Sequence, residues 1–260
     1  MFKLPDTHKL MIRRFLFVLA AMAVGFSVSA QVDDTLRRSD PNGWEFLQIN
    51  RTRSLFQEGY LHNGIREDVW TEYWDNKLPH LVVTFRNGVK DGLSMIMRRG
   101  GQVEWMQYYR NDKLEGPSRK YYVGSTVEEE FYYSEGELSG TYTKWYPNGK
   151  PQETSNYNHN VRDGHATYFR ENGGKMAEYN YNRGKLDGDV TLYGESGAVV
   201  EFGQYSNEVQ SGTWKEYHPN GKIKAEGKYV DGEKDGVWKQ YDETGKPLKS
   251  ITYKKGKEKK

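Results

Sequence analysis

The sequence predicts an all-β protein, an extended antiparallel β-meander of hairpin repeats laid out as a single-layer twisted ribbon, and three observations carry that prediction. A glycine returns at Gly92, Gly116, Gly140, Gly164, Gly188, Gly212 and Gly236, every 24 residues without insertion. Seventeen residues after each of these anchors stands Tyr109, Tyr133, Tyr157, Tyr181, Tyr205, Tyr229 or Tyr253, and one period earlier Asp68 and Phe85 occupy the same two phases. Five residues after the anchors come Tyr73, Met97, Tyr121, Trp145, Phe169, Tyr193, Tyr217 and Tyr241. Eight units therefore run from about Glu67 to Tyr253. A period of this length marks an array in which each unit is one supersecondary element stacked on its neighbours.

At the N-terminus, residues 1–30 read as a signal peptide. Lys9, Arg13 and Arg14 precede the apolar run from Phe15 to Phe26, and Val28-Ser29-Ala30 supplies the small residues that predict cleavage before Gln31. Met11 is an alternative start, since residues 11–30 alone hold all three parts. The apolar run is short for a membrane span. Cleavage would remove four basic side chains and one acidic, taking the formal charge from +2 to −1. A near-neutral chain lacks the basic face expected of a nucleic-acid binder. The absence of cysteine excludes disulfides, thiolate metal sites and a lipoprotein attachment cysteine. An exported protein, periplasmic or extracellular, is the expectation.

Residues 31–66 fit the period poorly and read as an N-terminal cap protecting the first edge of the array. The array proper, residues 67–253, is a hairpin written repeatedly. In the unit Gly212 to Asp235, Thr213 to His218 is β-capable and Pro219-Asn220-Gly221 is a turn. Ile223, Ala225, Gly227 and Tyr229 then alternate with polar residues, and Asp231-Gly232 and Asp235-Gly236 lead into the next hairpin. Short connections imply antiparallel neighbours. Sixteen strands at about 4.8 Å would make a ribbon on the order of 75 Å long. Its cohesion must come from ladders of amphipathic aromatic rings, which also reconciles 14% aromatic content with a mean hydropathy of −0.94. Residues 254–260 form a basic, solvated tail.

The pattern Asp-Gly-x-Trp-x-x-Tyr-x-x-x-Gly-Lys from Asp235 to Lys246, repeated in phase, resembles the MORN repeat in the variant form of bacterial proteins of the YwqK antitoxin type. The resemblance implies a β-hairpin ribbon that binds proteins or membranes, without chemistry of its own. An exported chain departs from a cytosolic antitoxin.

No catalytic, cofactor or metal site is expected. The histidines His80, His159, His165 and His218 share no phase, so they build no ladder. The carboxylates before the anchors, such as Glu67, Asp163 and Asp235, offer too few oxygens for calcium and read as turn residues bonding local amides. Glu128-Glu129-Glu130 reads as a solvated segment. What varies between units is more telling, because constant phases serve the sheet itself. Six residues after the anchors stand Trp74, Arg98, Tyr122, Tyr146 and Arg170, residue types that dominate binding hot spots, in one row at about 10 Å intervals. On a regular strand Trp70 and Tyr142 would share that face. These five are the candidate partner-binding residues; the competing use of the row is an internal cation–π ladder. The functional expectation is a non-catalytic scaffold binding a protein partner in the cell envelope. The alternatives are a lipid- or glycan-surface binding module and a toxin-neutralising protein.

Overall fold

A computed structural model describes residues 34–52 and 54–259, so the expected signal peptide and its cleavage site lie outside the described residues. Among the described residues twenty-two strands, from β1 (Asp34–Ser39) to β22 (Lys257–Glu258), form one antiparallel meander; β8 (Lys113–Leu114) with β9 (Gly116–Tyr121), and β11 (Glu137–Leu138) with β12 (Gly140–Trp145), are two pieces of one strand that share a partner. Among the described residues there is no helix.

Two kinds of turn alternate along it. The tight ones have two central residues with positive φ, as at Asp231-Gly232 (50° and 78°) and Asn63-Gly64 (52° and 78°). This is the mirror-image turn whose twist matches that of paired strands. The wider ones resemble Tyr146 to Lys150, where the Tyr146 N–H donates to the Lys150 carbonyl (2.8 Å) and Gly149 takes a φ of 80°. Asp235-Gly236, expected to be a turn, lies instead inside β20 (Glu233–Tyr241). The chain has already reversed four residues earlier. What Gly236 provides is a bulge: it has a φ of 73°, it opposes Tyr253, and the register of the preceding pair shifts beside it between Glu226 and Lys228. A bulge needs the left-handed conformation as much as a turn does, so the glycine signal is the same for both.

The core is a single row running across the sheet. Trp70, Ser94, Ser118, Tyr142, Ala166, Val190, Trp214 and Trp238, each two residues after an anchor position, are all buried. Size varies along this row, and the facing residue on the next strand compensates. Gly203 and Gly227 sit beneath Trp214 and Trp238 so closely that an added Cβ would lie 2.1 and 2.3 Å from the indole rings. At two of the small residues the neighbour is a large ring: Ser118 pairs with Phe131 and Ala166 with Tyr179. Close packing is thus reached within one layer. The anchor-facing tyrosines wall the row in, edge-on to the indoles at 5.6 Å for Tyr205–Trp214 and 5.2 Å for Tyr229–Trp238. Cations lid it: the Lys234 ammonium stands 3.9 Å above Trp238 and the Arg66 guanidinium 4.5 Å above Trp70.

Residues 31–66 were expected to stand apart from the array, yet the packing already begins within their described part. Asn63-Gly64 is in phase with Asn87-Gly88, and Gly59 underlies Trp70, with its added Cβ 2.3 Å from the ring, as Gly203 underlies Trp214.

Candidate functional site

The five candidate residues do form a row, and each spends its polar head on the next hairpin. Trp74 Nε1 donates to the Met97 carbonyl (3.0 Å), Arg98 Nη2 to that of Tyr121 (2.7 Å), Tyr122 Oη to that of Trp145 (2.8 Å) and Tyr146 Oη to that of Phe169 (2.9 Å). Arg170 reaches the Tyr193 carbonyl, and His218 Nε2 stands 2.9 Å from that of Tyr241. Every acceptor lies 23 residues further on. What Trp, Arg, Tyr and His have in common here is length ending in a donor, so hydrogen bonds rather than stacked cations make this ladder. Trp70 and Tyr142, expected on the same face, are buried in the core row. Register shifts between Glu72 and Tyr73, and between Lys144 and Trp145, break the strict alternation that the expectation assumed.

The opposite edge is stapled too. The Glu67 carboxylate accepts the Asn87 N–H (2.6 Å), Glu115 that of Glu135 (2.9 Å) and Asp163 that of Arg183 (3.3 Å). These acids bond no local amide; their partners are tight-turn amides twenty residues on, in the next unit. The chain's 24-residue pitch brings that turn alongside.

In the middle of the array the core row becomes polar. Tyr142 Oη donates to Glu129 (3.0 Å) and Ser155 Oγ to Glu153 (3.1 Å), while Arg162 donates to Glu153 and to the hydroxyls of Tyr168 (2.7 Å) and Tyr157 (3.1 Å). Burial works against the Arg162 charge, but Glu153 and the surrounding tyrosine oxygens outweigh it and hold the guanidinium protonated. Burial, reinforced by Glu129 and Glu153, pushes the Tyr142 phenol far above its ordinary value. The Glu128–Glu130 run is therefore no solvated segment. Glu129 is buried here, and Glu128 and Glu130 pair with Lys120 (3.1 Å) and Arg119 (2.5 Å) of the neighbouring strand. Glu129 faces the core with Phe131 two residues on, and Glu128 stands at a register shift between Val127 and Glu129.

The face opposite the core row carries the half-buried residues five after the anchors. Tyr73 Oη donates to Glu58 (2.5 Å), Tyr241 Oη to Glu226 (2.9 Å), and Tyr193 likewise to Glu178, always fifteen residues back. Burial and then the Glu58 bond push Tyr73 up to about 12; for Tyr193 the Glu178 bond leads, followed by burial, again to about 12. Tyr217 has no such carboxylate, because Phe202 stands fifteen residues before it, as Met106 stands before Tyr121. A depression opens there, lined by Thr191, Tyr193, Val199, Phe202, Tyr217 and Gly221. None of the five candidate residues lines it, although the glycine that follows them in their row, Gly194, stands beside it. The signal present in the sequence was the coincidence of Gly194 in that row with Phe202 eight residues on.

Comparison with known proteins bears on the repeat alone. A crystal structure of a mutant S. aureus TarM in complex with Fondaparinux, alpha-GlcNAc-glycerol and UDP aligns with 72% of this chain and 24% of that chain, at 12% identity. Its TM-score of 0.20 is too low to bear on fold or function. No curated protein matches significantly. The family described as MORN repeat variant matches residues 138–159, 210–231 and 234–255. Each window opens two residues before an anchor glycine, at the same phase, so the chain carries MORN-variant repeats at three places in step with its own 24-residue period.

Proposed function

We propose that this protein is a non-catalytic, exported repeat scaffold that binds a protein partner in the cell envelope. The MORN-variant matches support the scaffold. The observation that carries binding is the face opposite the core row. A single-layer sheet has no second layer to cover that face, and it presents Tyr73, Tyr121, Trp145, Tyr193, Tyr217 and Tyr241 half-exposed along its length, with Met97 and Phe169 completing one such residue per repeat. Aromatic residues of this kind are enriched at protein interfaces, where one ring supplies both apolar area and a polar tip. The N-terminal targeting pattern supports export.

Crosslinking in intact cells, followed by mass spectrometry of the captured species and sequencing of the mature N-terminus, tests the reading. The expected result is one protein enriched with the chain and an N-terminus at Gln31. An intact N-terminus on cytoplasmic protein would overturn export. Sedimentation with liposomes or cell-wall fragments in place of any protein partner would overturn protein binding.

A further inference from the structure

At one unit junction three kinds of side-chain bond found at other junctions are missing together. Gly194 stands where Trp74, Tyr146 and Arg170 cross to the next hairpin, so no side chain reaches the Tyr217 carbonyl. Ala198 stands where Lys150 and Lys222 reach carbonyls of the next wide turn, at 2.7 and 2.8 Å. Phe202 stands where Glu58, Glu178 and Glu226 accept tyrosine hydroxyls. The combined result is the recess between Tyr193 and Tyr217, floored by Phe202 and edged by Thr191 and Val199. Other junctions also lack the lysine, as at Leu78, Gln102, Thr126 and Gly174, or the carboxylate, as at Val82, Met106 and Thr154, but each of them keeps the crossing donor that Gly194 removes.

Charge beside the recess is directional. Across the sheet the residues in register run Glu178, Thr191, Phe202, Lys215, Glu226, Lys239. Glu178 is taken up by Lys175 (2.5 Å) and Tyr193, and Glu226 by Tyr241. Lys215 and Lys239, with Lys228 two residues beyond Glu226 on the same strand, have no carboxylate within ion-pair distance among the described residues. On the other side of the recess lies Asp189, held by Gln204 Nε2 (2.9 Å). A flat anionic surface laid over this face would meet Glu178 and Asp189 as well as the lysines. A narrow acidic segment leaving the recess toward the lysines would not.

We propose that this recess and its lysines form a docking site for an acidic segment of the protein partner, with one aromatic side chain of that segment seated between Tyr193 and Tyr217 on Phe202. The proposal rests on the protein-binding reading above. Apolar contact in the recess supplies the anchor, and the carboxylates on Lys215 and Lys239 set direction and encounter rate.

The test is fluorescence anisotropy of the full chain with a labelled pentapeptide of four acidic residues around a central tryptophan. Its controls are the same peptide with alanine at the centre and one with lysines in place of the acids. Wild type should bind the acidic tryptophan peptide at least tenfold more tightly than either control. Phe202→Glu restores the residue found at Glu178 and Glu226, so the chain should melt as wild type does and bind at least tenfold more weakly. The double variant Lys215→Glu/Lys239→Glu should lose as much and change the salt dependence. Equal binding by Phe202→Glu, or binding by wild type to phosphatidylglycerol vesicles but not to the peptide, overturns the proposal. In-cell crosslinking separates it from the scaffold reading. If Phe202→Glu captures the same partner as wild type, the recess is not the site and the scaffold stands. If wild type captures none, the scaffold reading fails.

Discussion

At the residue scale, the chain shows why glycine can be a packing residue rather than a flexible one. Gly227 is not an anchor and its φ is not positive, yet an added Cβ would lie 2.3 Å from the Trp238 ring. Gly227→Val should therefore force the indole off its site. The cost of overpacking a well-filled position is about 1–3 kcal/mol, and a urea-unfolding series should show it as a lower midpoint with Trp238 fluorescence shifted to the red. The anchor glycines were legible in the sequence because their spacing is rigid. The core row beside them was not, because its members range from Ser to Trp. Only the pairing of each large residue with a small one across the strand reveals it, and that pairing is non-local. The same holds for Arg162, whose partners come from three strands, its own and the two beside it.

At the scale of the strand and hairpin, the candidate row shows how composition misleads about role. Trp, Tyr and Arg dominate hot spots and are also the side chains long enough to reach a carbonyl in the next hairpin. Tyr146→Phe keeps the ring and removes one hydrogen bond, so it should lower stability by about 1 kcal/mol. Tyr146→Ala should cost more, since it also exposes the Phe169 carbonyl and the ring's footprint. Paired denaturation curves read this, and a Tyr146→Phe curve superposing on wild type would return the residue to the pool of binding candidates. The tyrosine–carboxylate bonds on the opposite face predict a pH dependence. Tyr73 and Tyr193 titrate at about 12 in the fold against an ordinary value of 10.0. A raised pKa means that the folded state holds the proton more tightly than the unfolded chain does. The stabilisation is thus complete below pH 10 and is lost as pH rises from 10 toward 12. Unfolding midpoints should be flat between pH 7 and 9 and fall steeply above 10, with tyrosinate absorbance lagging behind that of free tyrosine until the ribbon opens.

For the whole molecule, the 24-residue register should matter more than any single unit, because each hairpin touches only its neighbours and stability is a sum of unit and interface contributions. Removing residues 212–235 joins Ser211 to Gly236 with every phase intact. Trp238 then takes the place of Trp214 over Gly203, the Tyr253 ring takes that of Tyr229, and Lys239 follows Phe202 in the row that Lys215 held. Such a chain should fold with the near-ultraviolet circular dichroism of wild type and a modestly lower unfolding midpoint, having lost one unit's burial. Removing half as much, residues 212–223, joins Ser211 to Lys224. That puts Glu226 where Trp214 is buried and a carboxylate under the tyrosine wall, where an unpaired charge costs several kcal/mol. The second deletion should melt the C-terminal strands, seen as fast amide exchange from about residue 190 onward, while the first leaves them protected. If the full-period deletion loses as much protection as the half-period one, the units are not interchangeable, and the array is held together by contacts longer than one hairpin.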